Sequence, residues 1–124
     1  MKTIKEVLDV LRSAEKDARV YFDFCGTFPT SVESWRGVYS EPALGWASYS
    51  HPEYKTAPKV EEVIGAIERA IDGRTFQGWK GGDYSYRDSD TLHIDNQGEY
   101  TNTEISGFDV SEHSVTILTC CEPC

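Results

Sequence analysis

Apolar residues recur at helical spacing near the start of the chain. Ile4, Val7, Leu8, Leu11 and Ala14 share one face, and Lys5, Glu6, Asp9, Arg12 and Lys16 take the other. Thr3 and Glu6 have capping-box spacing at the head of this run, so the pattern predicts an amphipathic helix over residues 4–17. The period then shortens. Val20-Tyr21-Phe22-Asp23-Phe24 predicts a buried strand, broken by Cys25-Gly26 and by a turn around Phe28-Pro29-Thr30. Two more strands are expected over 34–39 and 45–49, joined at Glu41-Pro42 as a hairpin or meander.

Residues 51–58 read as a loop. Val60, Val63, Ile64, Ile67, Ala70 and Ile71 then mark a second helix that stops at Asp72-Gly73. Gly65 weakens that helix by roughly 1 kcal/mol relative to Ala, which suggests a close crossing at this position. The remainder is strand-like over 75–79, 83–86, 92–94, 103–108 and 115–119, with Gly, Asp, Asn and Ser in the turns between. Strands joined by short turns favour antiparallel pairing. The expected class is therefore α+β, a mostly antiparallel sheet with two helices packed on one face. No fixed-period repeat or low-complexity tract interrupts this order.

A chain of 124 residues suits one domain, expected over 1–119, with 120–124 as a flexible Cys-containing tail. Twenty-one acidic against twelve basic residues give a formal net charge of −9. Such a field disfavours direct binding to nucleic acid or anionic membrane and favours basic partners, and a nucleotide ligand would need a local basic pocket. No apolar run approaches the roughly 20 residues of a membrane span, and the first helix carries charge where a signal peptide is apolar, so a cytoplasmic protein is expected. Cys25 stands alone while Cys120, Cys121 and Cys124 crowd the end, which is not a spaced disulfide framework.

Candidate chemistry concentrates where rings, charge and Gly interleave. Trp35, Arg36, Tyr39, Glu41 and Trp46 form one group, in which strand alternation would set Trp35 and Tyr39 on one face and Arg36 on the other. Arg36 there can fork a carboxylate or phosphate or lie on a ring, as interface arginines do. The plainer alternative is an Arg36 pair with Glu41 or Asp23 that braces a hairpin beside core tryptophans. Trp79, Lys80, Asp83 and Tyr84 form the second group, around Gly78, Gly81 and Gly82. Exposed N–H groups and an ammonium together suit an anion, although the Walker spacing is absent and a tight turn between aromatic strands explains the glycines more simply. The terminal Cys121-Glu122-Pro123-Cys124 lacks the following helix of a redox motif, and a zinc site would need ligands from elsewhere in the chain. His51, His93 and His113 show no metal-binding spacing, and Asp83, Asp88, Asp90 and Asp95 lack that of an EF-hand. No cofactor or metal is expected.

Taken together, Tyr21-Phe22-Asp23-Phe24, Ser34-Trp35-Arg36-Gly37-x-Tyr39, Glu41-Pro42-Ala43-Leu44-Gly45-Trp46 and Thr75-Phe76-x-Gly78-Trp79-Lys80-Gly81-Gly82-Asp83-Tyr84 form a pattern over roughly residues 20–95. This pattern resembles small uncharacterised proteins encoded by tailed bacteriophages and prophages. The Cys-rich end lies outside it. The resemblance implies an accessory protein in the cytoplasm of an infected or lysogenic bacterial cell. Such a protein would bind and inhibit or sequester a host factor, including a defence-system component, whether a basic protein or a nucleotide-like small molecule. The alternatives are a small metal-assisted or acid/base hydrolase using Asp23, Glu41, Asp83 and a His, and a virion or assembly component. An aromatic hairpin edge can also pair two copies across a two-fold axis.

Overall fold

The computed structural model describes residues 2–24, 26–35, 38–48, 56–71, 76–77, 83–84, 87, 89–94 and 104–120; of these, 33–35, 38–41, 48, 76–77, 83–84 and 120 are described by backbone alone. The element order is α1 (Ile4–Ser13), β1 (Arg19–Phe22), β2 (Thr27–Trp35), β3 (Val38–Ser48), α2 (Val60–Ala70), β4 (Phe76–Gln77), β5 (Asp83–Tyr84), β6 (His93–Ile94), β7 (Glu104–Val110) and β8 (Ser114–Cys120). The fold is α+β. Six strands form one sheet in the order β1-β8-β7-β6-β3-β2, and β4 and β5 pair separately. Pairing is mostly antiparallel, with two parallel pairs, β1 with β8 and β3 with β6.

Helix α1 starts as its sequence requires. The Thr3 hydroxyl accepts the Glu6 N–H at 3.2 Å and the Glu6 carboxylate accepts the Thr3 N–H at 3.1 Å, so each satisfies a donor of the other. The first-turn N–H of Ile4 reaches the carbonyl of Asp90 at 2.9 Å, and Thr3 forms a bridge with Thr91. The helix ends at Ser13, short of the expected residue 17. There the Ser13 hydroxyl turns back to the Val10 carbonyl at 2.7 Å, and Ala14 is already extended with ψ 165°.

Helix α2 has no side-chain N-cap and borrows backbone instead. Its Val60 N–H donates to the Ala18 carbonyl at 2.8 Å and its Glu61 N–H to Lys16 at 3.2 Å. The segment before it, inside the stretch expected as a loop, runs along the outer edge of β1 through an antiparallel Arg19–Lys59 bridge and a Val20 N–H bond to Pro58 at 2.9 Å. That covers an edge which would otherwise offer unpaired backbone. Gly65 does not mark a close crossing. A Cβ at this position would meet only the Arg69 guanidinium of its own helix, at 3.3 Å.

One main core holds the layers together. Ile4, Val7, Leu8 and Leu11 of α1, Val60, Val63 and Ile67 of α2, and Val20, Phe22, Leu44, Ile94, Ile105, Val115 and Ile117 of the sheet are all buried in it, so both helices lie on one face. Two bulges keep that face apolar across changes in sequence parity. In β7 the ladder steps from Ile105–Thr119 to Gly107–Leu118, which lets Ile105 and Phe108 both turn inward. In β2 it steps from Pro29–Trp46 to Val32–Leu44, so Phe28 faces a smaller cluster with Ala47 and Ala57 while Val32 faces the main core.

The sheet curls. Its two edge strands, β1 and β2, are consecutive in the chain, with only residues 23–26 between Phe22 and Thr27. A flat six-stranded sheet would hold its edges about 24 Å apart, beyond the roughly 17 Å that such a link can span. The link is tightened further. The Thr27 N–H and hydroxyl both donate to the Phe24 carbonyl, at 3.1 and 2.7 Å, and Gly26 takes the left-handed φ of 58° between them. β1 and β2 touch, and α2 packs against both.

Candidate functional site

The hairpin expected to carry recognition is present with a different register. The strand placed at 34–39 is in fact split: β2 ends at Trp35, β3 begins at Val38, and these two residues pair. The turn foreseen at Phe28-Pro29-Thr30 is part of β2, and Glu41-Pro42, foreseen as a connection, lies inside β3. Between the Ser34–Pro42 and Trp35–Val38 pairs, β3 carries Tyr39, Ser40 and Glu41 with no residue opposite them. Trp35 and Tyr39 therefore sit on different strands, and simple alternation does not set their faces. Arg36 lies outside the described residues.

Among the described residues, β3 joins β6 at Ala43–His93 and Leu44–Ile94. Beyond that point the described ladder of β2 and β3 continues as a pair of strands toward Trp35 and Val38. Trp46 is at the root. It is half-buried against the main core and meets Phe24 edge-on, with centroids 5.3 Å apart at 89°, while Phe24 stacks on Phe22 at 5.2 Å. Of the second group, Asp83 and Tyr84 form β5 and pair with Gln77 and Phe76 of β4. Trp79 and Lys80 lie outside the described residues.

Of the carboxylates expected of a hydrolase, Asp23 is the one whose side chain is described, and it is engaged by Thr119. Asp23 accepts the Thr119 N–H at 3.0 Å and the Thr119 hydroxyl at 2.5 Å, extending the β1–β8 pairing past the end of β1. Asp90 accepts the Arg87 N–H at 2.9 Å and returns its own N–H to the Arg87 carbonyl, which makes it a turn residue. His113 is exposed in the β7–β8 turn, 4.0 Å from Glu112. Among the described residues, no group of three His, Cys, Asp or Glu is placed to hold a metal. None of their helices is long and apolar enough to cross a membrane.

Two hollows open beside β1. The one at the seam of the curled sheet has a volume of about 220 Å³, an apolar lining of Phe28, Pro29, Ala57 and Pro58, and a polar lining of Arg19, Thr30, Thr56 and Glu62. Sequence reading passed over Arg19 because its setting depends on Ala57, thirty-eight residues away, whose carbonyl accepts from the Arg19 guanidinium at 2.8 Å. The only local signal is a cation leading the apolar run Val20-Tyr21-Phe22. The other hollow, about 360 Å³, is lined by Glu15, Asp17, Ala18, Glu112 and His113. It is acidic, and Lys59 stands 3.8 Å from Asp17.

Compared with protein-family models, curated proteins and solved structures, the chain matches none.

Proposed function

We propose that this chain is a phage-type accessory protein that binds a host factor and inhibits or sequesters it, working by occupancy rather than turnover. The observation that carries this reading is the β2–β3 hairpin. Among the described residues its ladder continues beyond the last pairing with β6, and Tyr39, Ser40 and Glu41, which no described residue opposes, stand beside the Trp35–Val38 pair. Bulges of this kind re-aim side chains and end regular pairing, and Trp, Tyr and Arg are the residues that dominate binding energy at interfaces. Trp35, Arg36, Tyr39 and Glu41 supply that chemistry, and Trp46 anchors the root to the core. Trp79, Lys80, Asp83 and Tyr84 of the β4–β5 region extend the same surface in this proposal. The phage setting and the cytoplasm of an infected or lysogenic cell rest on the resemblance over residues 20–95.

The net charge of −9 supports a basic protein as the host factor over a free nucleotide, because an anionic ligand must work against the overall field. Native mass spectrometry of the protein purified gently from bacterial cells tests this. A bound host polypeptide that is lost in Trp35→Ala and Arg36→Ala variants of unchanged fold is the expected result. A retained nucleotide lost in Arg36→Ala would replace the protein target by a sequestered signal. Unaltered binding in both variants would remove the hairpin from the interface.

A further inference from the structure

We infer that the hollow at the seam of the sheet is a preformed site for a small organic monocarboxylate with an apolar body, held by Arg19. The site borders the base of the hairpin, at Phe28, Pro29 and Thr30 of β2, away from the Trp35–Val38 pair, and it stands whether or not that far end binds a host factor. Arg19 is half-buried, and its one side-chain hydrogen bond goes to a neutral carbonyl, that of Ala57. A guanidinium has five N–H donors in a fixed fork, so one such bond leaves most of it available. In a chain with nearly twice as many acidic as basic residues, a cation at a cavity wall with no carboxylate partner among the described residues is unexpected. Lys2, Arg12 and Lys59 each stand within ion-pair distance of a carboxylate, and among the described residues none reaches Arg19. The one carboxylate among the described lining residues, Glu62, is turned to the start of α2, where it accepts the Lys59 N–H at 3.1 Å.

The lining selects the ligand class. Half-buried Pro58 offers apolar surface, backed by the buried Phe28, Pro29 and Ala57, and about 220 Å³ is room for roughly seven waters, or one ring with a short acidic arm. A single guanidinium matches a single negative charge, whereas a phosphate dianion would also face Glu62 and the net charge of −9. The walls are fixed before any ligand arrives. Arg19 begins β1, the 57–59 segment is bonded along its edge, and Phe28 is 1% exposed.

Titration of the ¹⁵N-labelled protein with phenylacetate, phenylacetamide and inorganic phosphate, followed by NMR, tests the assignment. Phenylacetate should shift the amide signals of Arg19, Phe28, Ala57 and Thr56 saturably, with millimolar affinity, and phenylacetamide should bind about tenfold more weakly for want of the charged bond. Arg19→Gln should abolish the response. Because that change also removes the bond to Ala57 and can loosen the strand edge, Thr56→Phe serves as the second variant. Thr56 is exposed, so a ring there fills the mouth without touching the core, and it too should abolish binding at an unchanged Tm. Equal response to acid and amide, equal response to inorganic phosphate, or full binding in a folded Thr56→Phe variant would each overturn the proposal.

Discussion

Two residues show how far single positions can be argued from their surroundings. Gly65 lies inside α2, where glycine lowers helix stability, and its missing Cβ is not needed for any approach by another element. The nearest atom is the end of the flexible Arg69 side chain, which must yield by a few tenths of an ångström. Gly65→Ala should therefore raise stability by about 0.5–1 kcal/mol, read as an upward shift of the urea midpoint at constant m-value. A lower midpoint would show that Arg69 cannot move. Glu6 is the second case. The Thr3 backbone N–H, helped by the Thr3 hydroxyl and the Lys2 charge, holds its carboxyl below the ordinary value of 4.5. A folded-state value below the unfolded one means that the contribution is complete above about pH 4.5 and disappears as pH falls through the folded value. The stability difference between wild type and Glu6→Gln should be flat from pH 7 to 5 and shrink toward pH 3. A difference independent of pH would exclude the carboxylate as its source. The capping box was legible because both partners lie within three residues. Arg19 was not, because the carbonyl that it donates to lies thirty-eight residues away.

Elements were legible in kind and less so in extent. The apolar periods of α1 and α2 locate both helices, since amphipathic spacing is a local property that packing then uses as written. The strands of the second half also fall where alternation put them, although of β4 and β5 only two residues each are described. The hairpin failed in register for a physical reason. Pro29 and Glu41-Pro42 carry turn chemistry, yet a strand accepts proline at positions whose N–H the ladder does not use, and the irregularities after Pro29 and Ser34 absorb the mismatch. Reading these residues as turns puts the hairpin's reversal at 41–42 and Trp35 and Tyr39 on one strand, whereas β2 ends at Trp35 and β3 begins at Val38. The consequence for recognition is specific. A surface built on alternation would set Arg36 opposite Trp35, whereas the observed ladder puts Trp35 at the last pair of the hairpin beside a three-residue bulge. The two parallel pairs were equally hidden, because β1 meets β8, and β3 meets β6, across long stretches of sequence.

At the scale of the molecule, the fold depends on closing a curled sheet whose edges are neighbours in the chain. α2 packs against both edges, and α1 packs on α2 while its first residues are pinned to the 90–92 segment just before β6. The amino-terminal helix is therefore part of the closure rather than an appendage. Ile4, Val7 and Leu11 are fully buried and Leu8 is 2% exposed. Four such side chains contribute roughly 6–12 kcal/mol by burial, which equals the whole net stability of an ordinary domain. Deleting residues 1–13 should then abolish the cooperative transition, leaving no sigmoidal urea unfolding and no dispersed amide spectrum. Leu11→Ala alone should cost about 2–5 kcal/mol and keep the transition. If the truncated chain still unfolded cooperatively, the curled sheet and α2 would have to close without α1, and the shared core described for both helices would not be the unit that folds.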